Sequence, residues 1–118
     1  MGVSIVRQRS GRIHVNACSD YDLLRDEIEF PMDEWVKIAV NFKLDYDGWL
    51  ELYLDRGDGW ENIPLGGRRR HPLDTLRRGC NDGGANDARV GVYGSKPSRA
   101  CFASFVVGNS KRAVTGMQ

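Results

Sequence analysis

Apolar and polar positions alternate most regularly between Trp35 and Leu54. Val36, Ile38, Val40, Phe42 and Leu44 fall on one side of a period of two, and Lys37, Ala39, Asn41 and Lys43 on the other. Leu50, Leu52 and Leu54 answer them, alternating with Trp49, Glu51 and Tyr53. Successive side chains of a strand point to opposite faces, so the pattern predicts two strands, each with one apolar face. Asp45-Tyr46-Asp47-Gly48 between them supplies turn chemistry. The pair therefore predicts an antiparallel hairpin over Trp35 to Asp55, with Ile38, Val40, Leu52 and Leu54 buried. A slip of one residue would expose the whole apolar set, so the register is expected to be firm.

Weaker patterns flank this hairpin. Val3 to Gln8 and Arg12 to Ala17 predict two short strands around Ser10-Gly11. Asp20 to Arg25 is polar and ambiguous, and Glu27 to Phe30 predicts a strand that Pro31 stops. Trp60 to Leu65 predicts another short strand. Gly66 to Asp87 reads as a long irregular loop, with one helical turn at Pro72 to Arg78; a loop of this length is usually functional, disordered or held by a partner. Ala88 to Tyr93 and Ala100 to Val107 are expected to close the sheet, and Ser110 to Gln118 to form a tail. These elements predict an all-β, antiparallel β-sandwich, as one domain over residues 1–109 with a tail at 110–118.

Composition narrows this picture only a little. The chain has 118 residues, with 14 Gly against 4 Pro, which suits a turn-rich β protein. No apolar run approaches the roughly 18 residues of a membrane-spanning helix, so no membrane partner is expected. Met1 to Arg7 lacks the basic-then-apolar order of a secretory signal, which leaves the compartment open, with an extracellular or virion-surface location compatible. Cys18, Cys80 and Cys101 are odd in number and have no CxxC spacing. Buried or free thiols are expected, with one bridge and one spare thiol as the alternative.

Charge changes the picture more. The net charge is +1, but seven acids fall between Asp20 and Glu34, and five arginines (Arg68, Arg69, Arg70, Arg77 and Arg78) between Gly66 and Cys80. Clustered guanidinium groups suit carboxylate, sulfate or phosphate. Arg68, Arg69 and Arg70 are therefore candidate ligand-binding residues for an acidic polysaccharide or an acidic protein face, with nucleic acid a poorer fit. Pairing with the Asp20 to Glu34 segment is the internal alternative. Trp49 and Tyr53, on the polar face of their strand, are candidates for stacking on sugar; with Trp60, a second packed layer or a subunit interface is the alternative. Arg56-Gly57-Asp58 and the acids Asp45, Asp47, Asp55 and Asp58 are explained by turn chemistry, and no metal or cofactor is expected.

Ala88-Arg89-Val90-Gly91-Val92-Tyr93, following the Trp35 to Asp55 hairpin, resembles the back half of a concanavalin A-like jelly-roll sandwich. More narrowly, it is similar to polysaccharide lyases acting on heparin, glucuronan or alginate. The likeness covers roughly Trp35 to Gly108 and implies a jelly roll, in reduced form. In those lyases a strand-ending tyrosine transfers a proton at the sugar, which would make Tyr93 catalytic. Arg89 stands where lysine is usual; it would bind substrate, and it is a poor proton donor. Arg12-Ile13-His14 stands where the lyases carry a glutamine, an apolar residue and a histidine, so Arg12 would bind ligand and His14 would neutralise a uronate or act as base. The structural alternatives are a packed ring at Tyr93 and a solvent-facing His14.

Three classes follow: a non-catalytic module binding carbohydrate or another partner; a structural component of a larger assembly, such as a viral decoration or attachment protein; and a lyase cleaving a uronate polymer by β-elimination. The incomplete proton-transfer set favours the first two. So few strands would leave sheet edges open, which points to a homo-oligomer or a larger assembly.

Overall fold

The computed structural model describes residues 3–7, 12–17, 22–29, 33–43, 45–72 and 101–117, the first three segments as strand backbone. The chain divides into two compact units, Met1–Gly84 and Ala85–Gln118. The described residues are mostly antiparallel β-structure with one short helix, so the all-β expectation holds.

The first unit holds two sheets. β1 (Val3–Arg7), β2 (Arg12–Ala17) and β3 (Asp22–Glu29) form an antiparallel meander in chain order. β1 pairs with β2 from Val3↔Ala17 to Arg7↔Ile13, the hairpin expected around Ser10-Gly11. β3 is longer than its sequence suggests. The polar stretch from Asp22 is strand, and one element of eight residues runs on to Glu29. Pairing with β2 satisfies backbone groups whatever the side chains are, so context overrides a poor local pattern. The ladder is irregular: Ile13 pairs with Ile28 but Val15 with Leu24, so β3 carries extra residues opposite His14.

The second sheet is built on the main hairpin. β4 (Lys37–Lys43), β5 (Trp49–Asp55) and β6 (Trp60–Ile63) lie in the order β4-β5-β6. β7 (His71–Pro72) pairs with Trp49 and Leu50 of β5, on the edge whose other part, Leu52 to Asp55, pairs with β6. The register of the hairpin is as expected: Ile38 lies opposite Leu54, Val40 opposite Leu52 and Phe42 opposite Leu50.

The turns follow from local chemistry. Asp45 Oδ1 accepts the Asp47 N–H at 3.3 Å, and Asp55 Oδ1 accepts the N–H groups of Gly57 and Gly59 at 2.8 and 3.1 Å. Leu65 and Arg68 exchange two backbone hydrogen bonds, of 3.0 and 3.1 Å, around Gly66 and Gly67. Both glycines have positive φ, 59° and 75°, as a two-residue turn of type I′ requires. The segment expected to be irregular from Gly66 onwards therefore begins with a tight turn and a short strand. Its remainder, 73–87, and the expected strand 88–93 lie outside the described residues.

Leu50, Leu52, Leu54, Leu65, Tyr53 and Ala39 form the buried core. Leu52 and Leu54 are buried as expected, but Val40 is half-buried and Ile38 is 41% exposed, as Phe42 is at 40%. The reason is position. β5 has neighbours on both sides, whereas β4 is an edge strand among the described residues.

In the second unit, the strand expected over Ala100 to Val107 does not form over its described residues, 101–107. Residues 101–108 form neither strand nor helix, and Ser104 has a left-handed φ of 56° that interrupts the run. Phe102, Phe105, Val106 and Val107 are exposed, and Cys101 is a free, exposed thiol. The expected tail contains a helix, α1 (Lys111–Thr115). Ser110 Oγ caps its start by accepting the Ala113 N–H at 3.1 Å, and Gly116 closes it at φ 76° with its N–H on the Arg112 carbonyl.

Candidate functional site

Trp49, Glu51 and Tyr53 share the face of β5 opposite the leucines, and cross-strand pairing sets Asn41 against Glu51 and Ala39 against Tyr53. The Gly66-Gly67 turn then brings Arg70 back to this face. Glu51 is the centre of the resulting cluster. Its Oε2 accepts hydrogen bonds from Asn41 Nδ2 at 2.9 Å and the Tyr53 hydroxyl at 2.8 Å, and its Oε1 accepts one from Arg70 Nε at 2.8 Å. The Arg70 guanidinium carbon also stands 3.7 Å from the centre of the Trp49 ring, a cation–π contact.

Glu51 is 3% exposed and Tyr53 1%. Burial is the largest single influence on Glu51 and pushes its carboxyl up. The hydrogen bonds from Asn41, Tyr53 and Arg70, with the Arg70 charge, together outweigh it and hold the carboxyl below its usual range. A carboxylate held this way fastens the β7 segment to the sheet; it is poorly suited to taking a proton near neutrality. Asn62 Nδ2 adds bonds to the carbonyls of Leu52 and Arg69, at 3.3 and 3.2 Å. His71 Nδ1–H donates to the Leu65 carbonyl at 3.0 Å and so ties the two ends of the turn together.

The structure joins three residues singled out in the sequence, Trp49, Tyr53 and Arg70, but not as an open surface. Tyr53 is buried, and Trp49 is half-buried with Arg70 over its ring. The expectation of exposed rings is corrected on this point, because the Gly-Gly turn returns the chain over them. Arg70 pairs with Glu51. Arg68 and Arg69 are exposed. Arg12 and His14 belong to β2, in register with Glu29 and Val6 respectively. Tyr93 and Arg89 lie outside the described residues, as do Arg77 and Arg78. Glu51 and Asn41 escaped the sequence reading. Their signal was the hairpin register, which places two polar residues opposite each other on one face.

A second surface lies along β4. Trp35 and Tyr46, at its two ends, are 70% and 60% exposed, and Ile38 and Phe42 are open between them. Lys37 Nζ is 3.9 Å from Asp55 Oδ2, and Lys43 Nζ is 3.3 Å from Asp45 Oδ2. The backbone N–H of Asp47, then Lys43, lower the Asp45 carboxyl; the backbone N–H of Gly57, with Gly59 and Lys37 after it, lowers that of Asp55.

Among the described residues no three His, Cys, Asp or Glu side chains converge as a metal ion would require, and no helix is long and apolar enough to cross a membrane. No family model matches the chain, and neither a curated protein nor a solved structure matches it.

Proposed function

We propose that the chain is a non-catalytic interaction module, a structural component of a larger assembly, that docks to another polypeptide through β4. The observation that carries this is that Ile38 and Phe42 of β4, which among the described residues has a strand neighbour on one side, are exposed, as are Trp35 before it and Tyr46 after it. Monomeric proteins ordinarily cover or charge such an edge, and a contiguous apolar patch marks a contact surface. A polypeptide partner is favoured over a sugar because the two rings proposed for stacking are occupied: Arg70 lies on Trp49, and Tyr53 is buried. Catalysis is disfavoured because Glu51, the buried carboxylate of the polar face, is fixed by three donors. In this proposal the two antiparallel sheets are the layers of a reduced concanavalin A-like jelly roll, and the likeness to polysaccharide lyases is one of scaffold without the reaction.

The test is ultraviolet absorbance of heparin, alginate and glucuronan incubated with the chain, since β-elimination at a uronate leaves an unsaturated, absorbing sugar. No growth is expected. Steady growth that disappears in Tyr93→Phe would replace the module with a lyase acting through Tyr93.

A further inference from the structure

We propose that Arg70 anchors a carboxylate-binding subsite that takes an aspartate or glutamate side chain of an acidic polypeptide. The subsite is separate from the contact proposed for β4 and stands without it. A guanidinium carries five N–H donors in a rigid fork. In Arg70 the Nε–H donates to Glu51 Oε1 at 2.8 Å, and the guanidinium carbon is held 3.7 Å from the centre of the Trp49 ring. Among the described residues neither Nη group makes a hydrogen bond. The Arg70 side chain is 53% exposed and that of Glu51 only 4%. A buried carboxylate therefore fixes one edge of a guanidinium whose remaining donors face water. An exposed arginine ordinarily loses rotamer freedom when it takes up a ligand; here Glu51 and Trp49 have already removed it, which lowers the cost of binding. The N–H groups on the two Nη atoms match the two oxygens of a carboxylate.

The surrounding charge favours an anion. Glu51 balances Arg70, while Arg68 and Arg69, exposed on the preceding residues, have no side-chain partner among the described residues. Of the other acids on β4, β5 and β6, Asp55 holds the Gly57 and Gly59 N–H groups, and Glu61 lies across from Leu54, on the opposite face of the sheet from Glu51. The carboxylate of a sugar is the poorer fit, because a sugar would also call for a bare ring to stack on, and Arg70 covers Trp49.

The decisive experiment is fluorescence anisotropy of a labelled oligoglutamate peptide titrated with the full chain, with a heparin oligosaccharide and an oligothymidylate of matched charge as competitors. Saturable binding that weakens with salt is expected. Arg70→Lys keeps the charge but loses the fork, and should weaken binding roughly tenfold; Arg68→Lys and Arg69→Lys, which change no anchored group, should weaken it much less. Glu51→Gln separates positioning from attraction. It removes a negative charge, so simple attraction would tighten the complex. The glutamine oxygen is best used by Asn41 and Tyr53, which turns its amide NH2 towards Arg70 and releases the anchor. Binding should therefore weaken roughly threefold or more, with an unchanged circular dichroism spectrum. Tighter binding in Glu51→Gln would overturn the proposal, as would an Arg70→Lys chain that binds like the parent, or no saturable binding. Should Glu51→Gln fail to fold, Arg70→Lys against Arg69→Lys decides the matter. Tighter binding of heparin or of the oligonucleotide than of the peptide would overturn the choice of an acidic polypeptide. Phe42→Lys, on β4, should leave peptide binding unchanged; loss of binding there would move the site to β4 and overturn the assignment to Arg70.

Discussion

β4 and β5 are seven residues each, alternate in the same way and pair from end to end, yet they are buried to different depths. All five interior residues of β5, Leu50 to Leu54, are buried, a carboxylate among them, whereas β4 buries Ala39 alone. Composition does not explain this, since Ile38, Val40 and Phe42 are as apolar as the leucines opposite them. β5 is covered on both sides, by β4 and by β6 with β7, whereas among the described residues β4 has a neighbour only at β5. Alternation decides which residues share a face; neighbours decide how deep that face lies.

The strongest challenge to this comparison is truncation of one cross-strand pair from either side. Leu52→Ala should lower stability by about 2–5 kcal/mol through lost burial and the cavity left behind. Val40→Ala, its half-buried partner, should cost about 1 kcal/mol. Urea unfolding measures both, and equal costs would erase the difference in depth.

The buried carboxylate offers the next largest effect. Glu51→Ala should cost about 2–4 kcal/mol, less than for a fully buried pair because Arg70 is half exposed, and most of it from leaving the Tyr53 hydroxyl without its acceptor. Glu51→Gln should cost less, because it keeps the shape and an acceptor. A carboxyl held below its unfolded value of about 4.5 contributes stability that is fully present above that pH and is lost as the pH falls through the folded value. Acid unfolding of the parent chain should therefore steepen below about pH 4.5, and Glu51→Gln should flatten that limb. An unchanged acid limb in Glu51→Gln would show that Glu51 does not couple to folding.

Gly66→Ala probes the turn that covers the second edge of β5. It forces a side chain into a left-handed conformation, and its Cβ would stand 3.2 Å from the His71 ring. The expected loss is about 1–2 kcal/mol in thermal or urea unfolding, and Gly67→Ala, with open space around it, should come out at the lower end. The smallest effect is expected on β4 itself. Phe42→Lys should change the stability of the chain by no more than about 1 kcal/mol, because the ring is partly exposed and a lysine stem can cover the same surface. A large loss would mean that Phe42 is covered in solution.

Much of the local structure was legible. The hairpin, its register and the Gly57 and Gly59 turn follow from period-two alternation and turn residues, and the β1–β2 hairpin from a weaker form of the same signal. β3 was half legible, because a polar strand carries no apolar stripe and only pairing with β2 holds it. The turn at Gly66-Gly67 could have been read from its glycines, since two adjacent positions at positive φ between strands are a hairpin signal. The segment 101–107 shows the reverse error: an apolar, β-prone run does not become a strand without a partner ladder.

For the cluster, the sequence by itself determined the parts: Glu51 and Tyr53 on one face of β5, Asn41 across from Glu51, and an arginine run further along the chain. Only the tertiary structure decided that Arg70 returns over Trp49 to meet Glu51, because the contact spans nineteen residues and depends on a turn and a short strand whose pairing is not local. The same holds for depth. Alternation fixed the faces of β4 and β5, but which strand lies inside the sheet and which at its edge depends on where β6 and β7 pair, and that is set by long-range contacts that no local period encodes.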